Sequence, residues 1–279
     1  MVKLPEGYVE DPLQNQTAPV TFPPGKQYGF YFDQGRCIAC QNCMLACMEW
    51  NGLPSGAAGR WMRVYAWEEG AFPGIRIYAL AAPCYHCQNP VCVDAANGAM
   101  YKESKYGAVL IDPAKAKTQS LDLRKANQAC PYGAILFDSD ALDATGSKCT
   151  MCIDRLQQGM APICVTSCDT RAFEFGPLEQ IQQTFGTLKQ LNGMPDPSVS
   201  QPAAVFKPSL PRKQIVPYDA NKVLQLWQSR GPFAGPDAPP VFQNASDVTD
   251  PMKALIQKNK LVMKHKTNEE LLFYTKVDE

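Results

Sequence analysis

Twelve cysteines are the residues of this chain best suited to chemistry, and all of them lie between residues 37 and 168 of 279. They form four groups with distinct spacing. The first group reads C-x2-C-x2-C-x3-C, the second C-x2-C-x4-C, the third is one Cys followed by Pro, and the fourth reads C-x2-C-x11-C-x3-C. The members are Cys37, Cys40, Cys43 and Cys47; Cys84, Cys87 and Cys92; Cys130; and Cys149, Cys152, Cys164 and Cys168.

Three kinds of site compete for these thiols. Disulfides are disfavoured because cysteines separated by two residues make poor structural pairs. We also expect the chain to reside in a reducing compartment, where disulfides are rare. Zinc sites combine two C-x2-C pairs, or Cys with His, and this chain has only 2 His. The first spacing is instead the bacterial iron–sulfur signature, whose fourth Cys binds the neighbouring cluster. Iron–sulfur clusters are therefore the favoured interpretation.

Applied to all twelve thiols, that rule gives three [4Fe–4S] clusters and leaves no cysteine over. A tight loop holds three corners of each cube, and a distant segment supplies the fourth. The predicted ligands are Cys37, Cys40, Cys43 and Cys168 for cluster 1 (set 1); Cys47, Cys149, Cys152 and Cys164 for cluster 2 (set 2); and Cys84, Cys87, Cys92 and Cys130 for cluster 3 (set 3).

The ligands of a fourth cluster are missing together. Residues 112–115 lead into Ala116 as residues 33–36 lead into Cys37, and Ala96 stands four residues after Cys92. This pattern predicts an erased cluster motif, and the alternative is that 112–130 forms an ordinary loop. The sequence Cys-Pro-Tyr-Gly-Ala at 130–134 favours the erased motif.

Few other residues suggest a role at a cluster. Arg36 and Lys148 each precede a predicted ligand and could offset cluster charge, or could be ordinary solvated cations. His86 lies inside Cys-Tyr-His-Cys, where packing or a hydrogen bond beside the cluster is favoured over iron ligation. We find no Ser/His/Asp set, phosphate loop or acid–base pair, so the chain is predicted to carry no catalytic site of its own.

Short apolar runs between the cysteine loops predict the strands and helices that position these loops. We predict strands at 29–33, 75–82, 134–137 and 172–175, a hairpin of 99–102 with 108–111, and helices at 44–50, 178–191 (ended by Gly193), 219–230 and 251–265. The fold class is α+β, with two interleaved ferredoxin-like modules and extended Pro-rich N- and C-terminal segments. The predicted domains are a strap (1–26), a two-cluster module (27–82 with 140–178), an inserted one-cluster module (83–139) and an extension that docks on a partner (179–279).

The amino-acid composition limits the kinds of binding partner to expect. Lys and Arg number 27, as do Asp and Glu, so no net basic field points to nucleic acid. Charged residues make up only 19%, below the usual ~25%, which suggests that a partner covers part of the surface. The chain shows no signal peptide, twin Arg or apolar run of membrane-spanning length. We expect a cytoplasmic protein, or one carried to a membrane periphery or exported by a partner that bears the signal.

Residues 28–175 resemble the ferredoxin-like electron-transfer subunits of the dimethyl sulfoxide reductase superfamily. The resemblance is closest to the three-cluster β subunits of the pyrogallol–phloroglucinol transhydroxylases, and does not extend to 1–26 or 180–279. It rests on PCYHCQNPVC at 83–92, NGAMY at 97–101, LIDPAKAK at 110–117, ACPYGA at 129–134 and KCTMC at 148–152.

The resemblance implies an electron-transfer role beside a large molybdopterin or tungstopterin subunit, in a heterodimer or a multiple of it. Cluster 1 would face that subunit, and the erased cluster would have been the outermost, nearest a membrane partner. The implied substrate is a hydroxylated aromatic, acted on by a transhydroxylase or dehydroxylase. Two alternatives stay open: the same role in a formate, arsenate or sulfur-compound oxidoreductase, and a zinc-bound scaffold without redox function.

Overall fold

The computed structural model describes residues 22–69, 76–209, 221–222, 225 and 261–275. Within these residues the chain is a mixture of helices and small β-sheets. The strands are β1 (Tyr28–Asp33), β2 (Arg63–Glu69), β3 (Arg76–Ala82), β4 (Met100–Lys102), β5 (Val109–Ile111), β6 (Leu136–Phe137), β7 (Gly146–Ser147), β8 (Phe173–Pro177) and β9 (Ala204–Lys207). The helices are α1 (Asn42–Trp50), α2 (Val91–Ala95), α3 (Ser120–Ala129), α4 (Ile153–Leu156), α5 (Ile163–Thr166), α6 (Leu178–Phe185) and α7 (Asn268–Thr275).

The largest sheet has the strand order β8-β1-β9. Strand β1 pairs antiparallel with β8, with Phe30 opposite Phe175, and parallel with β9, with Phe30 opposite Ala204. Because both edges and both faces of β1 are covered, all six of its residues are buried. Gly29 is needed there, since a Cβ at this position would lie 2.4 Å from the carbonyl oxygen of Ala203.

Three two-stranded sheets carry the segments between the cysteine groups. Strand β2 pairs with β3, β4 with β5 and β6 with β7, all antiparallel. The predicted hairpin is confirmed, with Met100 opposite Ile111. The main hydrophobic core runs between these sheets and contains most of the cysteines, so the thiols lie in the interior of the fold. No helix of the described residues is long and apolar enough to cross a membrane.

The segment after residue 178 departs from the predictions. The helix predicted at 178–191 ends at Phe185, because Gly186 takes a left-handed φ of 91° that stops the helix. Strand β9 was not predicted, since it lies in a Pro-rich stretch whose apolar run is only four residues long. It owes its conformation to pairing with β1.

The remaining C-terminal helix predictions fall largely outside the described residues. Of 251–265, only 261–265 are described, and these five residues are not helical. Helix α7 begins after them, and at its start the Thr267 hydroxyl accepts a hydrogen bond from the backbone N–H of Glu270 at 3.1 Å. Most of 219–230 and all of 1–21 lie outside the described residues.

Candidate metal centres

The thiols of sets 1 and 2 surround two separate cavities. Set 1 lines a small cavity walled by Phe32, Val64 and Phe173. Set 2 lines a second small cavity walled by Phe30, Trp61 and Met62. In each case four thiols from distant segments face one space.

The four thiols of set 3 also lie together. All four are buried, and the neighbouring thiols Cys84, Cys87 and Cys130 add to the effect of burial in raising the pKa of Cys92. The loop 84–87 and helix α2 bring three thiols to one side. Cys130, directly after α3, closes the set from the other side, because α3 packs against α2.

Two short helices connect sets 1 and 2. Cys43 and Cys47 lie one turn apart on α1, about 6 Å along the axis, and belong to different sets. Cys164 on α5 and Cys168 just beyond it repeat that arrangement, and α5 packs against α1. Helix α1, and α5 together with the residues just after it, therefore each give one thiol to each cavity and fix the two sets side by side.

The cysteine loops contain residues in the left-handed conformation, which non-glycine residues seldom adopt. Ala39 and Gln41 have φ of 55° and 64° in the first loop, His86 has 44° in the second, and Met151 and Cys152 have 61° and 49° in the fourth. Such turns point successive backbone N–H groups inward. The spacing of the cysteines does not reveal this strain.

Several backbone N–H groups donate hydrogen bonds to the sulfurs. His86 donates to Cys84 Sγ at 3.5 Å, Met151 to Cys149 Sγ at 3.4 Å, and Ala172 to Cys168 Sγ at 3.3 Å. The side-chain amide of Asn51 also lies 3.6 Å from Cys47 Sγ. These donors favour a sulfur that carries negative charge, which is the state of a cysteine bound to iron.

Burial instead favours the neutral, protonated form of thiols that hold no metal. It raises the pKa of Cys37 to about 11, and the pKa of Cys47 and Cys87 to about 12, with neighbouring thiols adding to each shift. Each thiol must lose its proton to bind a metal, so a positively charged partner is required in these cavities. Iron supplies that charge, and metal binding is expected to release protons.

The donor set fits an iron–sulfur cluster. Within the described part of the chain, no three His, Cys, Asp or Glu side chains converge closely enough to hold a single metal ion. The thiols surround a volume instead, as a cube requires whose corners alternate between iron and sulfide and whose four irons each bind one thiolate. Each set contains thiols alone, which is the donor chemistry of a [4Fe–4S] cluster.

The three other predicted site residues occupy different environments. The Arg36 side chain is 58% exposed and lies 3.8 Å from the Asp33 carboxylate. Lys148 is buried, and its ammonium donates hydrogen bonds to the carbonyl oxygens of Val109 and Cys149. His86 is fully buried, and its Nδ1 accepts the N–H of Val109 at 2.9 Å. Burial first, then Lys148 and Lys102, hold the pKa of His86 well below its usual value, so the ring is neutral at pH 7.

The segment of the predicted erased motif contributes side chains to the core. Residues 120–129 form helix α3, whose buried face carries Leu123 and Ala126. Ala96, where a fourth thiol would stand, is completely buried in the same core. The predicted erased motif is thus a turn followed by a helix with one apolar face, and Ala116 lines a pocket that Cys149 of set 2 also lines.

Two buried cations are not predicted by the sequence. Arg63 on β2 is completely buried, and Arg155 on α4 is 6% exposed. Neither is adjacent to a cysteine in sequence, and an arginine in a short apolar run is ordinarily expected to reach solvent. Only the packing around them shows that both lie inside the fold.

Comparison with known proteins identifies the class of this fold and site. A family model for the 4Fe-4S dicluster domain matches residues 75–178. The probable anaerobic dimethyl sulfoxide reductase subunit YnfG of Escherichia coli (strain K12) is 36% identical over 205 residues, covering 70% of this chain and 97% of that protein. The B subunit of the anaerobic dimethyl sulfoxide reductase of the same organism is 34% identical over equal coverage.

A third relative is the pyrogallol hydroxytransferase small subunit of Pelobacter acidigallici. It is 30% identical over 210 residues, covering 71% of this chain and 72% of that protein. The chain belongs to the family of iron–sulfur electron-transfer subunits of the molybdopterin oxidoreductases.

Proposed function

We propose that this chain holds three [4Fe–4S] clusters, one in each of sets 1, 2 and 3, and that no thiol serves another purpose. The observation that carries the proposal is the grouping of all twelve cysteines into three four-thiol sets. When bound, such clusters transfer single electrons. The protein's part is to hold the sulfurs, exclude water and supply hydrogen bonds to them.

Electrostatic interactions connect set 2 with both of the other sets. Cys43 of set 1 lies close enough to Cys164 of set 2 to add to the rise in its pKa that burial causes. Cys84 of set 3 acts on Cys149 of set 2 in the same way. This arrangement supports a relay from set 1 through set 2 to set 3. It also supports the interleaved modules, since all of set 3 lies within 83–139.

Set 1 is the set that reaches the surface. Cys40 is the one exposed thiol of the twelve, and the apolar side chains of Ile38 and Leu45 beside it are 68% and 57% exposed. An apolar rim around an exposed ligand supports docking of the catalytic subunit at this face. The molybdopterin or tungstopterin cofactor would then lie on that subunit, outside this chain.

The absence of a fourth set of thiols bears on where the relay ends. The apolar packing of Ala96, Leu123 and Ala126 leaves set 3 as the far end. We propose that this chain therefore lacks the standard route to a quinol-oxidising membrane subunit. A purified complex in which a tightly bound membrane anchor reduces this chain directly would contradict the proposal.

For the substrate we propose a hydroxylated aromatic compound, on the strength of the cluster count and the similarity to the pyrogallol hydroxytransferase small subunit. A second candidate is a sulfoxide, because the dimethyl sulfoxide reductase relatives have the higher identity. The two candidates differ in the catalytic subunit, so this chain's residues support the relay in either case.

The test is to purify the tagged chain without oxygen from its native host and to assay the complex. We expect a large pterin-containing subunit to co-purify and to turn over pyrogallol-type substrates with electrons passing through this chain. Turnover of dimethyl sulfoxide alone would support the second candidate. A chain that purifies without any pterin-containing subunit would contradict the function as a whole.

A further inference from the structure

Three basic side chains are buried without a carboxylate partner. Arg63, Lys148 and Arg155 are 0%, 4% and 6% exposed. The ion pairs among the described residues involve other cations, and the one buried carboxylate there, Asp33, pairs with Lys207 and Arg36. Burying a charge is costly unless an opposite charge or strong hydrogen bonds compensate it. Three such charges in one core indicate an anionic partner of another kind.

Each of the three is held against a cysteine loop by backbone carbonyls. Arg63 donates to the carbonyl oxygens of Tyr132 at 2.8 Å and Gly133 at 3.0 Å, just after Cys130. Lys148 donates to the carbonyl oxygen of Cys149 at 2.9 Å.

Arg155 is held in the same manner. It donates to the carbonyl oxygen of Ala161 at 2.7 Å, and its guanidinium lies 4.3 Å from the centre of the Trp50 ring. Its own backbone N–H donates to the carbonyl oxygen of Cys152 at 2.9 Å. These contacts fix all three cations against the cysteine loops of sets 2 and 3.

The same three cations also act on the pKa of thiols in sets 2 and 3. Burial dominates and raises the pKa of each thiol, but Arg63 opposes the rise at Cys130, Lys148 at Cys92 and Cys149, and Arg155 at Cys152. Lys148 thus acts on both set 2 and set 3. Among the described residues, no Lys or Arg has this effect on Cys37 or Cys43 of set 1.

We propose that Arg63, Lys148 and Arg155 are the buried counter-charges of clusters 2 and 3, and that they raise the reduction potentials of these two clusters. The inference rests on the proposed function, because it requires a cluster in each set. A four-thiolate cluster is already negative and gains a further negative charge on reduction. A fixed cation in a water-poor interior stabilises the reduced form more than the oxidised one. Lys148 serves both clusters, and Arg63 and Arg155 serve one each.

The test is a redox titration, followed by electron paramagnetic resonance, of the full chain in its co-purified complex. Lys148→Met is expected to lower the potentials of clusters 2 and 3, and Arg155→Gln that of cluster 2, with cluster 1 unchanged. The expected size is about a tenfold lower ratio of reduced to oxidised cluster at fixed potential, which equals ~59 mV for a one-electron couple.

Lys102→Met is the matched control. Lys102 also donates to carbonyls of a cysteine loop, those of Cys87 at 3.0 Å and Gln88 at 3.1 Å, but it is partly exposed to solvent. Its removal is expected to shift the potential of cluster 3 only slightly, and the shift should disappear at high salt. Unchanged potentials in both Lys148→Met and Arg155→Gln, with all three clusters intact, would overturn the proposal.

Two further outcomes distinguish a failure of this proposal from a failure of the proposed function. If Lys148→Met loses a cluster, Lys148→Arg keeps the charge and is expected to titrate close to the wild type, while Arg155→Gln still carries the test. If the wild-type complex shows zinc, or no cluster signals, the proposed function itself fails. Clusters that are present but insensitive to these substitutions would leave the function standing and contradict the counter-charges alone.

Discussion

Set 3 depends on one thiol that is distant in sequence from its other three. Cys130 lies 38 residues after Cys92 and reaches the set only because α3 packs on α2. Its pKa is raised by burial and then by Cys84, while Arg63 and the backbone N–H groups of Ala134 and Tyr132 oppose the rise. Burial therefore disfavours the free thiolate, while Arg63 and the two N–H groups supply part of the stabilisation that a metal-bound sulfur needs.

Cys130→Ala is expected to remove cluster 3 and leave clusters 1 and 2 in place. The iron content should fall from about twelve to about eight per chain, since each cluster carries four iron atoms. Gln128→Ala, at an exposed residue two positions earlier, should keep the full content. Loss of all iron in Cys130→Ala would contradict the independence of set 3.

His265 ties the C-terminal segment to β2. Its ring stacks on Tyr65, with centroids 6.1 Å apart, and contacts Tyr274 at 5.4 Å. Burial and then Arg63 lower the pKa of His265 to about 4, and Glu270 opposes them. The folded protein therefore holds this ring neutral where an unfolded chain, with a pKa of about 6.5, begins to protonate.

Docking of 261–275 is expected to weaken as the pH falls from about 6.5 towards 4, because the open segment takes up a proton that the docked segment excludes. Hydrogen-exchange protection of 261–275 relative to the intrinsic rate at each pH, compared at pH 7.5 and 5.5, measures this. His265→Phe keeps the stacking and should flatten the pH dependence of the protection. Protection that is the same at both pH values in the wild type would contradict this role of His265.

At the scale of the elements, α3 occupies the place of the missing motif. Leu123 is completely buried, whereas Leu121 on the same helix is 58% exposed. The helix packs against α2 and β7 and so supports both the Cys92 and the Cys130 side of set 3. Its apolar face therefore supports the cysteines of set 3.

Leu123→Ala is expected to destabilise the fold by about 2–5 kcal/mol, because it leaves a cavity in the core. Leu121→Ala should stay within about 0.5 kcal/mol of the wild type, as substitutions at exposed positions do. The measurement is denaturant unfolding of the two variants with cluster absorbance followed in parallel. Equal stability of the two variants would show that α3 is not packed as described.

The contact between β1 and the residues leading into β9 gives a second test at this scale. Gly29→Ala would place a Cβ 2.4 Å from the carbonyl oxygen of Ala203, and backbone there cannot easily move. We expect destabilisation of about 1–3 kcal/mol, typical of overpacking. In Gly176→Ala the nearest atom, on Ile181, is 3.9 Å away, so this variant in the paired strand β8 should unfold like the wild type.

The elements predicted from sequence are those whose signal is local. The strand at 29–33, the helix at 44–50 and the hairpin around Gly107 have apolar runs or turn residues that specify them, and all are found. Strand β9 and the early end of α6 depend on tertiary partners and a single glycine, which a local pattern does not resolve.

The site divides in the same way. Cysteine spacing predicts which thiols meet, because loop geometry limits how three sulfurs can surround a cube. It does not reveal the left-handed residues in the loops, nor the burial of Arg63 and Arg155. A buried cation is stable only with its partner, and the proposed partner is a cofactor that the amino-acid sequence does not contain.

At the scale of the whole molecule, the sets run from a surface thiol to the interior. Set 1 includes the exposed Cys40, while sets 2 and 3 are entirely buried. The short helices α1 and α5 hold neighbouring sets at one helical turn, and the core excludes water around them. The membership in the family of molybdopterin-enzyme subunits agrees with a path that begins at a partner's surface.

The central claim is that the chain binds three [4Fe–4S] clusters, and metal analysis tests it most directly. Iron, acid-labile sulfide and zinc should be measured in the full chain purified without oxygen. We predict about twelve iron and about twelve sulfide per chain, with no zinc. Zinc in place of iron, or an iron content near sixteen or near eight with every cysteine intact, would contradict it.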